Sequence, residues 1–229
     1  SNQIESRTDV DTTLLEQWTP DRVKEVDVAF THDASLLSIL GSNVDLGLGI
    51  NEEHGGSGEN LYDLGILFER LGFYAAPLSL VGCLVDVAQT IQKFSENKVH
   101  RDLIREIVSG EIHTSAILEP FNQEPESPLT RAEIDGDQLI IKGTKYLSEL
   151  TSKAKSILVS VNANEGVLLI LVDSNIVEIT ELSTTANSPS FKVDLDGVSV
   201  NRSAIIHPSG KGLEALRYLL QINMVMRSY

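Results

Sequence analysis

The chain has 229 residues, with 18 Lys and Arg against 33 Asp and Glu and a formal net charge of −15. Hydrophobic residues make up 41% and charged residues 22%, the balance of an ordinary globular protein with one large domain or two small ones. The acidity argues against nucleic acid or an anionic membrane as main partner, because binding phosphate takes concentrated Lys and Arg. A single cysteine, Cys83, excludes an internal disulfide and any multi-Cys zinc site. No apolar run reaches the roughly 18 to 20 residues of a membrane span. The polar, acidic start (residues 1–13) has the character of neither a signal nor a transit peptide, so the expected location is cytoplasmic.

From residue 14 to about residue 110 the apolar spacing is helical. A first segment over residues 21–40 reads as helix. Residues 44–58 form a loop that ends in Gly55-Gly-Ser-Gly58. That cluster lacks the Lys-Ser/Thr of a phosphate-binding loop and reads as a turn between helices. Leu61, Leu64, Leu67, Phe68 and Leu71 then fall at three- and four-residue steps, one stripe on one face. Asn60 is the expected N-cap and Gly72 the expected stop. A second helix reads through Leu80, Val81, Leu84, Val85, Ala88 and Ile91. A third carries Val99, Leu103, Ile104, Ile107 and Val108 and closes at Ser109-Gly110.

After Gly110 the period changes to two. Residues 112–118 read as a strand. Residues 131–134 and 138–142 flank Asp135-Gly136-Asp137, a hairpin signal. Short strands follow over 156–161, 167–172, 176–182, 191–195 and 198–200, a spacing that suggests an antiparallel barrel or sandwich. Past Gly210 the pattern is helical again, through Leu213, Leu216, Leu219, Leu220 and Val225, with no stop signal before the last residue. The fold class is α+β, with domains expected at 1–110 (all-α), 111–208 (β) and 209–229 (first helix of a further bundle).

These segments carry a resemblance. Asp45-Leu-Gly-Leu-Gly-Ile-Asn-Glu-Glu-His-Gly-Gly-Ser-Gly58, then Asp63-Leu-Gly-Ile-Leu-Phe-Glu-Arg-Leu-Gly72 and Ala76-Pro-Leu78, resemble the N-terminal helical domain of acyl-CoA dehydrogenases. Ser109-Gly-Glu111, Leu118-Glu-Pro120 and Asp135-Gly-Asp-Gln-Leu-Ile-Ile-Lys-Gly-Thr-Lys145 resemble that family's middle β-domain. Gly210-Lys-Gly212 and the helix after it resemble the start of its C-terminal helical domain. The resemblance implies an FAD-dependent oxidoreductase of fatty acid metabolism. It would remove two hydrogens from the α and β carbons of an acyl-CoA or acyl-carrier thioester, in a homo- or hetero-oligomer of such subunits. The family's catalytic Glu is expected outside this chain, and no catalytic residue is assigned within it.

The flavin-facing positions depart from the family pattern. Leu118 stands where Thr of Thr-Glu-Pro contacts the ring. Residues 121–128 replace a small Gly-Ser-Asp segment along the thioester, with Ser127 the one serine near the substrate-contacting position. Aligned on Lys145 and on Lys153-Ala154, the aromatic, aliphatic, hydroxyl and Asn/Gly positions read Leu147, Ser148, Glu149 and Leu150. A shift of one residue puts Tyr146 at the stacking position and Ser148 at the hydroxyl one. In the first alignment a stacking contact of roughly 1 kcal/mol is lost. A carboxylate also faces a ring that becomes anionic on reduction. Three expectations stand together: a family member whose C-terminal domain lies outside this chain, a non-catalytic partner of a flavin-competent homologue, or a scaffold. In the absence of further helices, Leu213, Leu216 and Leu220 are expected to form an exposed apolar stripe.

The remaining candidates have simpler readings. His32, His54, His100, His113 and His207 show no metal spacing and read as surface or cap histidines. Cys83 lies on an apolar helix face and Trp18 reads as a packing anchor.

Overall fold

The computed structural model describes residues 11–16, 18–22, 24, 46–58, 60–76, 80–147, 154–183 and 190–229. Most of the helix expected over residues 21–40 lies outside these, as do Pro77 and Leu78.

Helix α1 (Leu61–Phe73) begins where the sequence places it. The Asn60 side chain accepts from the Tyr62 N–H at 2.8 Å, and the Asp63 carboxylate accepts from the Asn60 N–H at 3.3 Å, a reciprocal cap. Its apolar stripe, Leu64, Leu67, Phe68 and Leu71, is buried. Gly72 is not the stop; it sits in the last helical turn. The reversal needs a left-handed residue just beyond the cap, and Ala75 supplies it at φ 51°. The Ala76 N–H donates to the Leu71 carbonyl and the Ala75 N–H to the Gly72 carbonyl, the bond pair of a Schellman turn.

The second expected helix starts as a π-helix over Val81–Val87 and continues as α2 (Ala88–Phe94). Every residue of the π segment is buried. Helix α3 (Lys98–Val108) is capped by Asn97, whose side chain accepts from the Val99 N–H at 3.0 Å. It ends at Ser109-Gly110 as expected.

Nine strands follow among the described residues: β1 (His113–Ala116), β2 (Arg131–Asp135), β3 (Gln138–Lys142), β4 (Thr144–Leu147), β5 (Ser156–Ala163), β6 (Gly166–Asp173), β7 (Glu178–Leu182), β8 (Ser190–Asp194) and β9 (Val198–Asn201). The hairpin β2–β3 turns on Gly136 and Asp137, with Asp135 paired to Gln138 and Gly136 at φ 58°. One sheet runs β1-β5-β2-β3-β9, with β6 on the other edge of β5; a second runs β4-β8-β7. Most pairings are antiparallel, but β1 runs parallel to β5, as does β2 at its single contact. Periodicity fixes strand faces and leaves strand direction open.

The apolar run over residues 167–172 is explained by two cores. Leu158 and Leu169 pack into a cluster with the helices, while Ile157, Val159, Leu168, Ile170 and Val172 face the second cluster between the sheets. A strand buried on both faces shows no polar alternation. Helix α4 (Gly212–Met226) closes the first cluster with Ala215, Leu216, Leu219, Ile222 and Met226. Gly212 permits this approach, since a Cβ there would lie 1.7 Å from the Val167 carbonyl oxygen. The expected exposed stripe is therefore corrected. Leu216 is fully buried, Leu220 is half-buried, and Leu213 and Val225 are exposed. The helix also ends at Met226, before the last residue, and the Tyr229 ring lies against Gly65 of α1.

Ala75 holds a left-handed conformation with an exposed side chain, which costs an L-residue about 1 kcal/mol relative to glycine. Ala75→Gly is expected to raise the unfolding free energy by about that amount. A urea midpoint that stays put or falls, at unchanged slope, would contradict this.

Candidate functional site

The local architecture around β4 rests on one buried ion pair. Side chains alternate along β4, so Lys145 points inward and Tyr146 outward. Lys145 is fully buried, and its Nζ donates to Glu119 Oε1 at 2.7 Å, to Ser160 Oγ at 3.0 Å and to the Ile117 carbonyl at 3.3 Å. Glu119 Oε1 also accepts from the Thr130 N–H at 2.8 Å. Its Oε2 accepts from the Leu129 N–H at 2.6 Å and from Asn122 Nδ2 at 2.7 Å. Burial alone would push the Glu119 carboxyl up; the donors on Lys145, Thr130 and Leu129 outweigh it and bring it down to about 2. Burial pulls the Lys145 ammonium down to about 8, against the pull of Glu119, so the pair is ionic at neutral pH.

The same backbone register builds a cavity wall. Tyr146 N–H donates to the Leu118 carbonyl at 2.8 Å, and the two residues form an antiparallel bridge. Both line a cavity of about 480 Å³ between β1, β4, β8 and helix α4. That is the size range of a small-molecule site, and most of its lining is apolar, including Ile117, Phe191, Leu219 and Leu220. A polar cluster forms one wall. Ser115 Oγ donates to Asp86 Oδ2 at 2.5 Å, and Asn223 Nδ2 donates to Asp86 Oδ1 at 2.8 Å and Oδ2 at 2.9 Å. Asp86, on the π-helix, is buried. It joins that helix to β1 and α4. Asp86 is absent from the sequence expectations because it sits inside an apolar run and its partners lie 29 and 137 residues away.

Of the sequence-derived positions, Leu118 is on the cavity, and Tyr146 of the shifted alignment is beside it. Leu147 follows on β4, while Ser148 and Glu149 lie outside the described residues. Ser127 is exposed; its N–H donates to the Glu124 carbonyl at 2.8 Å, and its own carbonyl accepts from Asn122 Nδ2 at 3.1 Å. These bonds brace the loop. Beside it, Phe121 is fully exposed at φ 60°.

Cys83 and Trp18 are core residues as expected. The histidines are not surface residues: His54, His100, His113 and His207 are all buried, and His32 lies outside the described residues. Burial lowers the pKa of all four, His113 to about 4. Three find hydrogen-bond partners that sequence spacing does not reveal. The Leu169 N–H donates to His207 Nε2 at 3.1 Å, while Nδ1 of His113 and of His100 each lie 2.8 Å from a serine hydroxyl, Ser156 and Ser95.

No family model matches the chain. Acyl-CoA dehydrogenase FadE12 of Mycobacterium tuberculosis is 27% identical over 188 residues, covering 76% of this chain and 48% of that protein. Among solved structures, a variant of the Tcur3481-Tcur3483 steroid ACAD is 26% identical with a TM-score of 0.85, over 98% of this chain and 61% of that one. The ChsE4-ChsE5 complex of Mycobacterium tuberculosis shares the fold at a TM-score of 0.87 and 21% identity, over 99% of this chain and 61% of that one. Motif order, fold and relatives agree in likening the chain to the acyl-CoA dehydrogenases. It spans about half the length of the curated relative it matches. Among the described residues no helix is long and apolar enough to cross a membrane.

Glu119→Gln is expected to destabilise the fold by about 3–5 kcal/mol at pH 7, because it leaves a buried ammonium without its counter-charge. The folded carboxyl sits near 2, below its ordinary value of 4.5, so its contribution is complete above pH 4.5 and is lost as pH falls through 2. Denaturant unfolding across pH should show the gap between wild type and variant closing over that window. A gap that stays constant from pH 6 to roughly pH 2 would refute the assignment.

Proposed function

We propose that this chain contributes the flavin-facing and acyl-facing walls of an acyl-CoA dehydrogenase-type protein, with a flavin site weaker than the family pattern. The observation that carries the reading is the pairing of Leu118 with Tyr146 on one cavity wall between the sheets and α4. Bound FAD supplies the hydride acceptor for α,β-dehydrogenation of an acyl thioester. The residues present fit a flat ring in shape. Tyr146 offers an aromatic face, which favours the shifted alignment, and Leu118 offers an aliphatic contact. Leu118 brings no hydroxyl, so a polar ring edge there goes without the hydrogen bond that Thr would give. In this reading Leu147, Ser148 and Glu149 are cofactor-side positions and Ser127 a substrate-side one. The thioester is carried by CoA or by a carrier protein, and the proton-abstracting base is supplied from outside residues 1–229.

A second reading is favoured by the same leucine. A subunit whose flavin contacts have eroded serves as the non-catalytic partner of a flavin-competent homologue, in an oligomer with fewer active sites than chains. The relative described above as a ChsE4-ChsE5 complex supports assembly between unlike subunits as a property of this fold.

The visible spectrum of the purified protein, with its intact mass, tests both. Well under one equivalent of flavin per chain is expected. Leu118→Thr should hold flavin about tenfold more tightly, the worth of one hydrogen bond of roughly 1–1.5 kcal/mol. A full equivalent per wild-type chain would sink the weakened site and support a working dehydrogenase. Flavin recovered only on mixing with a flavin-competent homologue would support the unequal assembly.

A further inference from the structure

We infer that His113, with the cluster of Glu106, Lys155 and Glu111 beside it, forms an acid-sensitive joint between α3 and the sheet, and that acidification loosens β1, the strand that leads to the cavity. The joint is independent of what the cavity binds.

Three elements meet at this ring. His113 begins β1 and stands opposite Ser156 at the start of β5, with Nδ1 2.8 Å from the Ser156 hydroxyl. Nε2 is buried and, among the described residues, has no hydrogen-bond partner. It lies 3.8 Å from Glu106 Oε2 in the last turn of α3, beyond hydrogen-bond length. That oxygen is already engaged. Lys155 Nζ lies 3.3 Å from it and 3.3 Å from Glu111 Oε2, and the Lys155 N–H donates to the Ile112 carbonyl at 2.8 Å. The bridge therefore fastens α3 and the link after it to the residue that leads into β5. Its three side chains are open to water, and the His113 ring is not.

Burial sets the direction of the response. A protonated ring has two N–H donors to place, and the carboxylate nearest Nε2 is shared with Lys155. Burial lowers the His113 pKa to about 4; Glu106 and Glu111 pull it up and Lys155 pushes it down, without reversing that effect. Other titratable groups on the elements packed here are engaged elsewhere. Asp173, across from Ser156 on β6, accepts from Asn175; Asp86 on the π-helix accepts from Ser115 and Asn223; and Cys83 Sγ donates to the Glu111 carbonyl at 3.9 Å. A ring released into water has its ordinary pKa of 6.5, so the open form takes up a proton that the closed form refuses. The joint is at full strength above pH 6.5, weakens as pH falls, and weakens no further below about pH 4. Two residues along β1, Ser115 lines the cavity, so loosening at His113 acts on that wall.

Hydrogen exchange of the whole 229-residue protein, read by mass spectrometry at pH 7 and pH 5 and corrected for the intrinsic rate, tests this. His113→Asn keeps a polar group towards Ser156 and does not titrate. Between pH 7 and pH 5 the wild type is expected to lose about twentyfold more protection over the last turn of α3 and β1 than this variant, as a closed pKa near 4 against an open one of 6.5 requires. His100, buried on the first turn of α3, is present in both proteins, so the difference belongs to His113. Equal losses in the two overturn the inference. Protection at the joint is also expected below that of the β3–β9 pair, the mark of a local opening. Equal protection in both places means that the joint opens only with the whole fold, which overturns it too. Where the variant fails to fold, histidine-ring NMR on the wild type decides. A ring still neutral at pH 5 while β1 loses protection is the expected result. A ring charged at pH 5, with β1 as protected as at pH 7, refutes the joint.

Discussion

The site depends on a charge that has no access to water. Lys145 is fully buried, and its ammonium is tolerable only because Glu119, Ser160 and the Ile117 carbonyl accept from it at once. Glu119 is as constrained in return. Its two oxygens take four donors, two of them backbone N–H groups at Leu129 and Thr130, so the carboxylate closes the loop between residues 119 and 130 on itself. A buried ion pair is poor evidence of net stability, since well-packed apolar residues often do as well. What it fixes here is register. With Lys145 held inward, alternation along β4 turns Tyr146 outward to the cavity. The bridge to Leu118 then sets the neighbouring wall. Slipping β4 by one residue would bury Tyr146, expose the charge and dismantle both.

The second constraint comes from the helical side. Helix α4 meets the sheet at Gly212, where only a residue without Cβ passes the Val167 carbonyl, and its apolar face continues through Leu216 and Leu219 to Met226. The opposite edge of that face carries Leu220 and Asn223 to the cavity. Asn223 reaches Asp86 on the π-helix, and Asp86 reaches Ser115 on β1. Three elements far apart in sequence thus share one carboxylate, in the wall facing Leu118 and Tyr146.

Much of the scaffold is legible in the residues. The cap at Asn60, the stripe from Leu64 to Leu71, the Gly136 turn and the two long apolar strands each follow from local chemistry that acts over a few residues. The family resemblance is carried by such segments too. Gly72 misleads because a glycine near a helix end invites the role of stop, while the left-handed residue is Ala75. The histidines mislead for the opposite reason: nothing beside His207 in sequence reveals the Leu169 N–H that donates to it.

The site is less legible because its partners are remote. Lys145 stands in a segment that reads only as a family motif, and its counter-charge lies 26 residues earlier. Asp86 interrupts an apolar run, where a lone carboxylate looks like a solvated helix position until Asn223 arrives from 137 residues later. Leu118 and Tyr146 are visible in advance, because both stand at positions singled out by the resemblance to acyl-CoA dehydrogenases. The carboxylate of Asp86 and the ion pair of Lys145 with Glu119 thus do the same work on two walls of one cavity: each ties together elements that no local signal connects.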